Sequence, residues 1–387
     1  MTKENAIKAG KDMIYLASCA LHGRIPEQNE LAEMNLRQVY SLAKFHSMQS
    51  IVYICLAKCL KAYGESAVEP EVIAKFYADY QLTMKRLVMF DIERESFLEF
   101  LGQRGWYLCL KGVVLQRYYP VLGMRQMADN DILVDPGLCP EIRDYFASRG
   151  YEIEGYGVGC HDSYVRGMLN FEIHRKLFME IARTRRGADY YGNVKDMLIP
   201  GDRPGEMLFN DDDFYVYFLY HAYKHYAEGG SGVRTLMDIF VYRTKNHRLD
   251  EKYIARQLDT LGISAYADGS YELAMRIFAP EARPTDILEP RLAEMLEYYV
   301  TSGTFGTRQH MVENNVSDIA GGERITAFTK LKYLWKRLFP DISYYNLSGM
   351  KLPRKIITVI TVWFSRLFRG IKNHKNHESE VKHLNDI

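Results

Sequence analysis

Apolar and polar positions recur along this chain with two different periods, and the change of period divides it. From about Lys3 to Gln103 the spacing is helical. Ile7, Ile14 and Leu21 repeat at heptad-like intervals until Pro26 breaks the pattern, and Leu31 to Leu42 and Ile51 to Leu60 predict two further amphipathic helices. Pro70 to Phe100 predicts one long helix with Leu82, Leu87, Val88, Ile92 and Leu98 on its core side. The aromatic residues Tyr77, Tyr80, Phe90, Phe97 and Phe100 read as packing groups. His46 reads as a core or capping histidine in preference to a ligand.

The period then shortens. Trp106 to Leu110 predicts a buried strand that ends at Lys111-Gly112, with a helix over Val113 to Tyr118. Ile132-Leu133-Val134 predicts a second strand, and Leu138 to Arg149 a helix stopped by Gly150. Tyr151-Glu152-Ile153, Ser163-Tyr164-Val165 and Phe171 to His174 predict further strands. This order suits a small mixed sheet with helices on one side.

Beyond it the pattern is helical again. Thr184 to Pro204 reads as a linker, Phe214 to Tyr226 as a strong helix whose N-terminus is favoured by Asp211, Asp212 and Asp213, and Gly229 to Gly232 as a flexible turn. Helical spacing continues over Arg234 to Arg243 and from about Asp250 to Ser302, while Gly303 to Gly322 reads as a mobile loop. Lys351 to Lys375 is apolar and basic, an amphipathic helix expected to dock on its own protein in preference to an anionic membrane surface. The tail after Asn373 reads as disordered. The fold class expected is α+β, with a helical region over 1–104, a small mixed β-sheet core over 105–200, a helical domain over 201–350 and the basic helix and tail over 351–387.

Period also points to chemistry. Residues two apart on a strand share a face, so Asp129 pairs with Asp131 and Glu172 with His174, while Phe171 and Ile173 turn into the core. If the two strands are neighbours, three carboxylates converge, an arrangement that calls for a cation; oxygen donors suit Mg²⁺ or Mn²⁺. An Asp-x-Asp by itself is more often a solvated turn or a cap. The Lys111-Gly112 turn presents N–H groups and an ammonium to a phosphate, or is an ordinary strand-to-helix turn. Arg125 either grips a phosphate or holds the acids by an ion pair. His174 either serves the site or is purely structural. His221, Lys224 and His225 fall on one helical face, an anion-facing patch or a plain polar surface; the neighbouring lysine disfavours zinc. Arg234 and Asp238, four residues apart, either pair with each other or project into a cleft.

Composition narrows this only slightly. With 47% apolar residues, 26% charged residues and a net charge of +1 over 387 residues, the chain is an ordinary globular one with no global field for nucleic acid. Cys19, Cys55, Cys59, Cys109, Cys139 and Cys160 form no Cys-x-x-Cys pair and read as core thiols in a reducing cytoplasm. The N-terminus has no apolar signal core, and no apolar run reaches the ~20 residues of a membrane helix. A cytoplasmic protein is expected.

Leu110-Lys111-Gly112, Tyr119-Pro120, Arg125, Asp129-Asn130-Asp131 before an apolar strand, and the later Glu172-Ile173-His174 together resemble a family of uncharacterised bacterial nucleotidyltransferases. That family lies in the superfamily shared by polymerase β, CCA-adding enzymes and aminoglycoside nucleotidyltransferases. The resemblance extends to the helix carrying His221, Lys224 and His225. It implies that Asp129, Asp131 and Glu172 are the catalytic acids and hold two Mg²⁺ (or Mn²⁺) ions, with Glu172 accepting the proton of an attacking hydroxyl. It implies that Lys111, Gly112 and Arg125 position the triphosphate of an NTP, with His174, His221, Lys224 and His225 as further nucleotide contacts. The reaction implied moves NMP to a hydroxyl acceptor and releases pyrophosphate. Two positions depart from the superfamily pattern: Lys111-Gly112 stands for the usual Gly-Ser turn, and Asn130 for an apolar residue. Neither removes a carboxylate. The acceptor is open between a small metabolite or sugar, a tRNA 3′ end and a protein, with the near-neutral charge leaning slightly against RNA. A catalytically silent nucleotide-binding or assembly module is the alternative, against which the intact acids speak.

Overall fold

The computed structural model describes residues 2–181 and 183–338. The basic helix expected over Lys351 to Lys375 and the tail after it lie outside the described residues.

Five helices open the chain: α1 (Lys3–Leu21), α2 (Gln28–Ala32), α3 (Leu36–Phe45), α4 (Gln49–Tyr63) and α5 (Pro70–Gly102). Their starts are legible in local chemistry. Thr2 accepts from the Asn5 N–H to cap α1, Asn35 accepts from Gln38 to cap α3, and Pro70 opens α5 where no N–H is needed. The buried side of α5 differs from the expected one. Leu87 and Leu98 are buried, but Leu82, Val88 and Ile92 are 48%, 49% and 64% exposed. The stripe instead follows Phe76, Thr83, Phe90 and Phe97 at seven-residue steps, so large rings, which bury more surface than the aliphatics, select the face.

The sheet strands are β1 (Tyr107–Cys109), β2 (Asn130–Val134), β3 (Glu152–Glu154), β4 (His161–Arg166) and β5 (Leu169–His174), in the order β1-β2-β5-β4-β3. β2 and β5 run parallel; the other pairs are antiparallel. Helix α6 (Lys111–Gln116) follows β1, and α7 (Cys139–Ser148) follows β2. One sheet face, with Ile132, Val134, Phe171 and Ile173, packs on Phe90 and Phe97 of α5 and Phe146 of α7. The sheet is not covered on one side only, as expected. Leu108 and Leu133 on the opposite face join the larger core formed by the N- and C-terminal helices. Asp131 and His174 of that second face are thereby buried, while Glu172 and His161 stay partly open.

The chain continues through α8 (Arg185–Tyr190), a two-stranded ribbon of β6 (Ile199–Pro200) and β7 (Met207–Leu208), and then α9 (Asp211–Glu228), α10 (Val233–Lys245), α11 (Glu251–Leu261), α12 (Ser264–Ile277), α13 (Pro290–Ser302), α14 (Arg308–Ala320) and α15 (Ala327–Leu338). Three expectations change here. The stretch from Thr184 to Pro204 carries structure of its own, anchored where the Gly187 N–H donates to Tyr220 Oη at 2.9 Å. The expected mobile loop contains α14, capped by Thr307, with Val312 and Val316 one turn apart against Tyr333; its glycines mark the helix ends. Gly230 is packed rather than free, since a Cβ there would meet Ser302 Oγ at 2.1 Å. His46 is structural: buried at the C-cap of α3, it sets Nε2 3.0 Å from the Val300 carbonyl and accepts at Nδ1 from the Val233 N–H at 3.2 Å.

All six cysteines are free thiols, five of them buried. Among the described residues no helix is long and apolar enough to cross a membrane.

Candidate functional site

Register decides what meets at the sheet. Asp131 of β2 lies opposite Glu172 of β5, Leu133 opposite His174, and His174 in turn opposite His161 of β4. Side chains directly opposite one another on paired strands leave the same face. Asp131, Glu172, His174 and His161 therefore crowd one patch, with Asp129 just before the first residue of β2.

The patch is wired tightly. His174 Nε2 lies 2.9 Å from Asp131 Oδ1, and Lys111 Nζ lies 3.0 Å from Asp131 Oδ2. Lys111 reaches it from the junction of β1 and α6, where its φ of 28° lies on the left-handed side. An L-residue there costs about 1–2 kcal/mol; the Lys111–Asp131 ion pair accompanies that conformation. Burial works to raise the Asp131 carboxyl, but Lys111 and His174 hold it well below the usual carboxylate range. The other two acids move the opposite way. Burial and the Asp131 charge raise Asp129 against the pull of Lys111, Arg234 and Arg125, and burial with Asp131 and Asp129 pushes Glu172 up to about 7. One acid is thus neutralised by its own partners, and two carry negative charge without enough compensation. That is the electrostatic condition for holding a cation.

Helix α9 overlooks this patch. His221 and His225 stand one turn apart with their Nε2 atoms 3.3 Å from each other, so one ring donates and the other accepts. Burial lowers His221 well below its usual range, aided by Lys111 and His225, and burial likewise depresses His225, helped by Lys224 and Lys111. Lys224 lies within electrostatic reach of His161 and Cys160. The face expected from spacing alone thus stands beside the sheet acids, its imidazoles neutral.

Arg125 takes a third role that neither sequence reading named. Nε and Nη2 donate to Asp238 Oδ1 and Oδ2 at 2.8 and 3.0 Å, and Tyr119 Oη donates to the same Oδ1 at 2.6 Å. The pair is buried and ties the segment ahead of β2 to α10. Gly112 serves it, because a Cβ there would lie 3.1 Å from Arg125 Nη1. Arg234 does not pair with Asp238; it donates to the Gln126 carbonyl at 3.1 Å and stands near Asp129.

The sequence reading missed His161 and the pairing of Asp238 with Arg125 and Tyr119. The signal for His161 was pairing of β4 with β5 in the observed register, which spacing within one strand does not contain. Asp162, beside it and fully buried, accepts from the Gly157 N–H at 2.7 Å and from Arg175 at 2.9 Å, fixing the loop that leads into β4.

No curated protein and no solved structure matches this chain. A family model does: that of an uncharacterised nucleotidyltransferase matches residues 32–279, well over half of the 387. The matched span takes in the Lys111-Gly112 turn, both acidic strands, the histidine face of α9 and the Arg125–Asp238 tie. On that breadth the chain belongs to the uncharacterised nucleotidyltransferase family.

Proposed function

We propose that this nucleotidyltransferase is metal-dependent and transfers NMP from an NTP to a hydroxyl acceptor, releasing pyrophosphate. The observation that carries the reading is the cross-strand pair Asp131–Glu172 with Asp129 at the strand entrance, two of whose three carboxyls lack full compensation. Oxygen donors of this kind fit Mg²⁺ or Mn²⁺, and Asp129, Asp131 and Glu172 would hold the ion. A divalent ion there neutralises phosphate charge and polarises the oxygen under attack.

The chain's own groups supply the rest. Glu172, raised by burial and by Asp131, is matched near neutral pH to taking the proton of an attacking hydroxyl. Lys111 is held by Asp131 at the mouth of the patch, where its charge also faces an incoming phosphate. Lys224, with neutral His221 and His225 beside it, offers a donor face for the triphosphate on the opposite wall. His174, pinned on Asp131, keeps that carboxylate aimed. Arg125 and Gly112 act at one remove, by fixing the chain that carries the acids to α10.

The test is radiolabel transfer. Each NTP, labelled at the α-phosphate or in a parallel set at the γ-phosphate, is incubated with the protein and with separate pools of small hydroxylated metabolites, tRNA and protein. Label from the α-phosphate entering one pool, with equimolar pyrophosphate and loss of both in Glu172→Gln, is the expected result. Transfer of γ-label in place of α-label would overturn the reading.

A further inference from the structure

Beside the acids lies a second donor set. His161 Nε2 is 3.7 Å and His174 Nε2 3.9 Å from Glu172 Oε2, and one ligand atom from each of the three residues lies within 4.8 Å of the others. A tetrahedral ion with bonds of 2.0–2.1 Å spaces its ligand atoms at about 3.4 Å, so both carboxylate–imidazole edges are within about half an ångström of ligating distance. The rings come from paired positions on β4 and β5, with centroids 4.9 Å apart, so the backbone and not a flexible loop brings them together. His174 is nearly fully buried, and its Nδ1 makes no hydrogen bond. Ligation through Nε2 exchanges the hydrogen bond to Asp131 for the metal bond and places the ring proton on the otherwise unused Nδ1.

We propose that His161, Glu172 and His174 form a nitrogen-bearing divalent-cation site that takes Zn²⁺, Co²⁺ or Mn²⁺ in preference to Mg²⁺. Imidazole favours borderline transition ions, whereas Mg²⁺ demands oxygen and keeps its water. Lys111, Lys224 and Arg234 oppose a cation here, and Asp129, Asp131 and Glu172 stand against them. The inference deepens the proposed reaction by naming the ion that Glu172 shares, and it rests on that reading only for the ion's task.

The full chain is titrated with Co²⁺ without nucleotide and followed by visible ligand-field absorption; Mn²⁺-loaded protein is examined by pulsed EPR for nitrogen coupling. His161→Gln is expected to weaken Co²⁺ by at least tenfold and to lose one imidazole coupling. His161→Asp, which restores an oxygen ligand, is expected to recover Co²⁺ affinity without regaining the lost coupling, separating ligation from misfolding. Equal Co²⁺ affinity in wild type and His161→Gln, or no nitrogen coupling on Mn²⁺, overturns the site. Nitrogen coupling in a protein that binds no NTP supports the site and sinks the transferase reading alone.

Discussion

Removing Arg125 separates a structural tie from a substrate contact. Its guanidinium and the Asp238 carboxylate are only 7% and 5% exposed and meet through two parallel hydrogen bonds, with Tyr119 sharing the acceptor. Breaking one side of such a buried pair leaves an uncompensated charge and costs about 3–5 kcal/mol. Arg125→Met and Asp238→Leu should each lose roughly that much. The double variant Arg125→Met/Asp238→Leu should recover much of it, because both charges are gone and only the Tyr119 hydroxyl is orphaned, at about 1–3 kcal/mol. Urea unfolding of the four proteins gives the coupling energy directly, with midpoints read at constant slope. NTP affinity is measured alongside. If Arg125→Met changes stability by less than about 0.5 kcal/mol while NTP binding falls tenfold, the guanidinium belongs to the substrate and the tie is refuted.

Other consequences follow from the same geometry. Gly112→Ala places a methyl 3.1 Å from Arg125 Nη1 and 3.3 Å from Met127 Cε; overpacking of this kind should cost about 1–3 kcal/mol by the same unfolding assay, and a neutral result would show that the turn has room. Burial pushes His46 down to about 4, so as pH falls through about 6.5 the unfolded chain takes up the proton first. Its stabilisation is therefore complete above that pH and lost below it, by about 1.4 kcal/mol per pH unit, and His46→Gln should flatten the acid limb by one proton; an unchanged slope would assign that limb elsewhere. Because burial and Asp131 push Glu172 up to about 7, protons compete with a cation below that value. Mn²⁺ affinity, read by EPR, should fall about fivefold from pH 7 to pH 6, and pH-independent affinity would remove Glu172 from the ligand set.

Much of this was legible from period alone. The β-type runs at Ile132-Leu133-Val134 and Phe171 to His174 became paired strands, and alternation placed Phe171 and Ile173 inward, as they are. Alternation does not contain register across strands. His161 therefore joined the patch only when β4 was found opposite β5, and Arg125 found its partner 113 residues away on α10. On α5 the sequence offered two competing apolar faces, and the tertiary packing of Phe90 and Phe97 against Phe171 chose between them. Glycine was the least reliable guide. In Gly303 to Gly322 it marked helix ends, and at Gly230 it marked close packing, where loop mobility had been read.

The central claim is that the acids of β2 and β5 form a metal-dependent nucleotide site. Calorimetric titration of each NTP, with and without Mg²⁺, on wild type and on Asp129→Ala/Asp131→Ala tests it most directly. The account predicts binding that requires the metal and disappears in the double variant while the fold, checked by circular dichroism, survives. NTP binding that is indifferent to both metal and carboxylates would contradict it and leave a nucleotide-binding module without this chemistry.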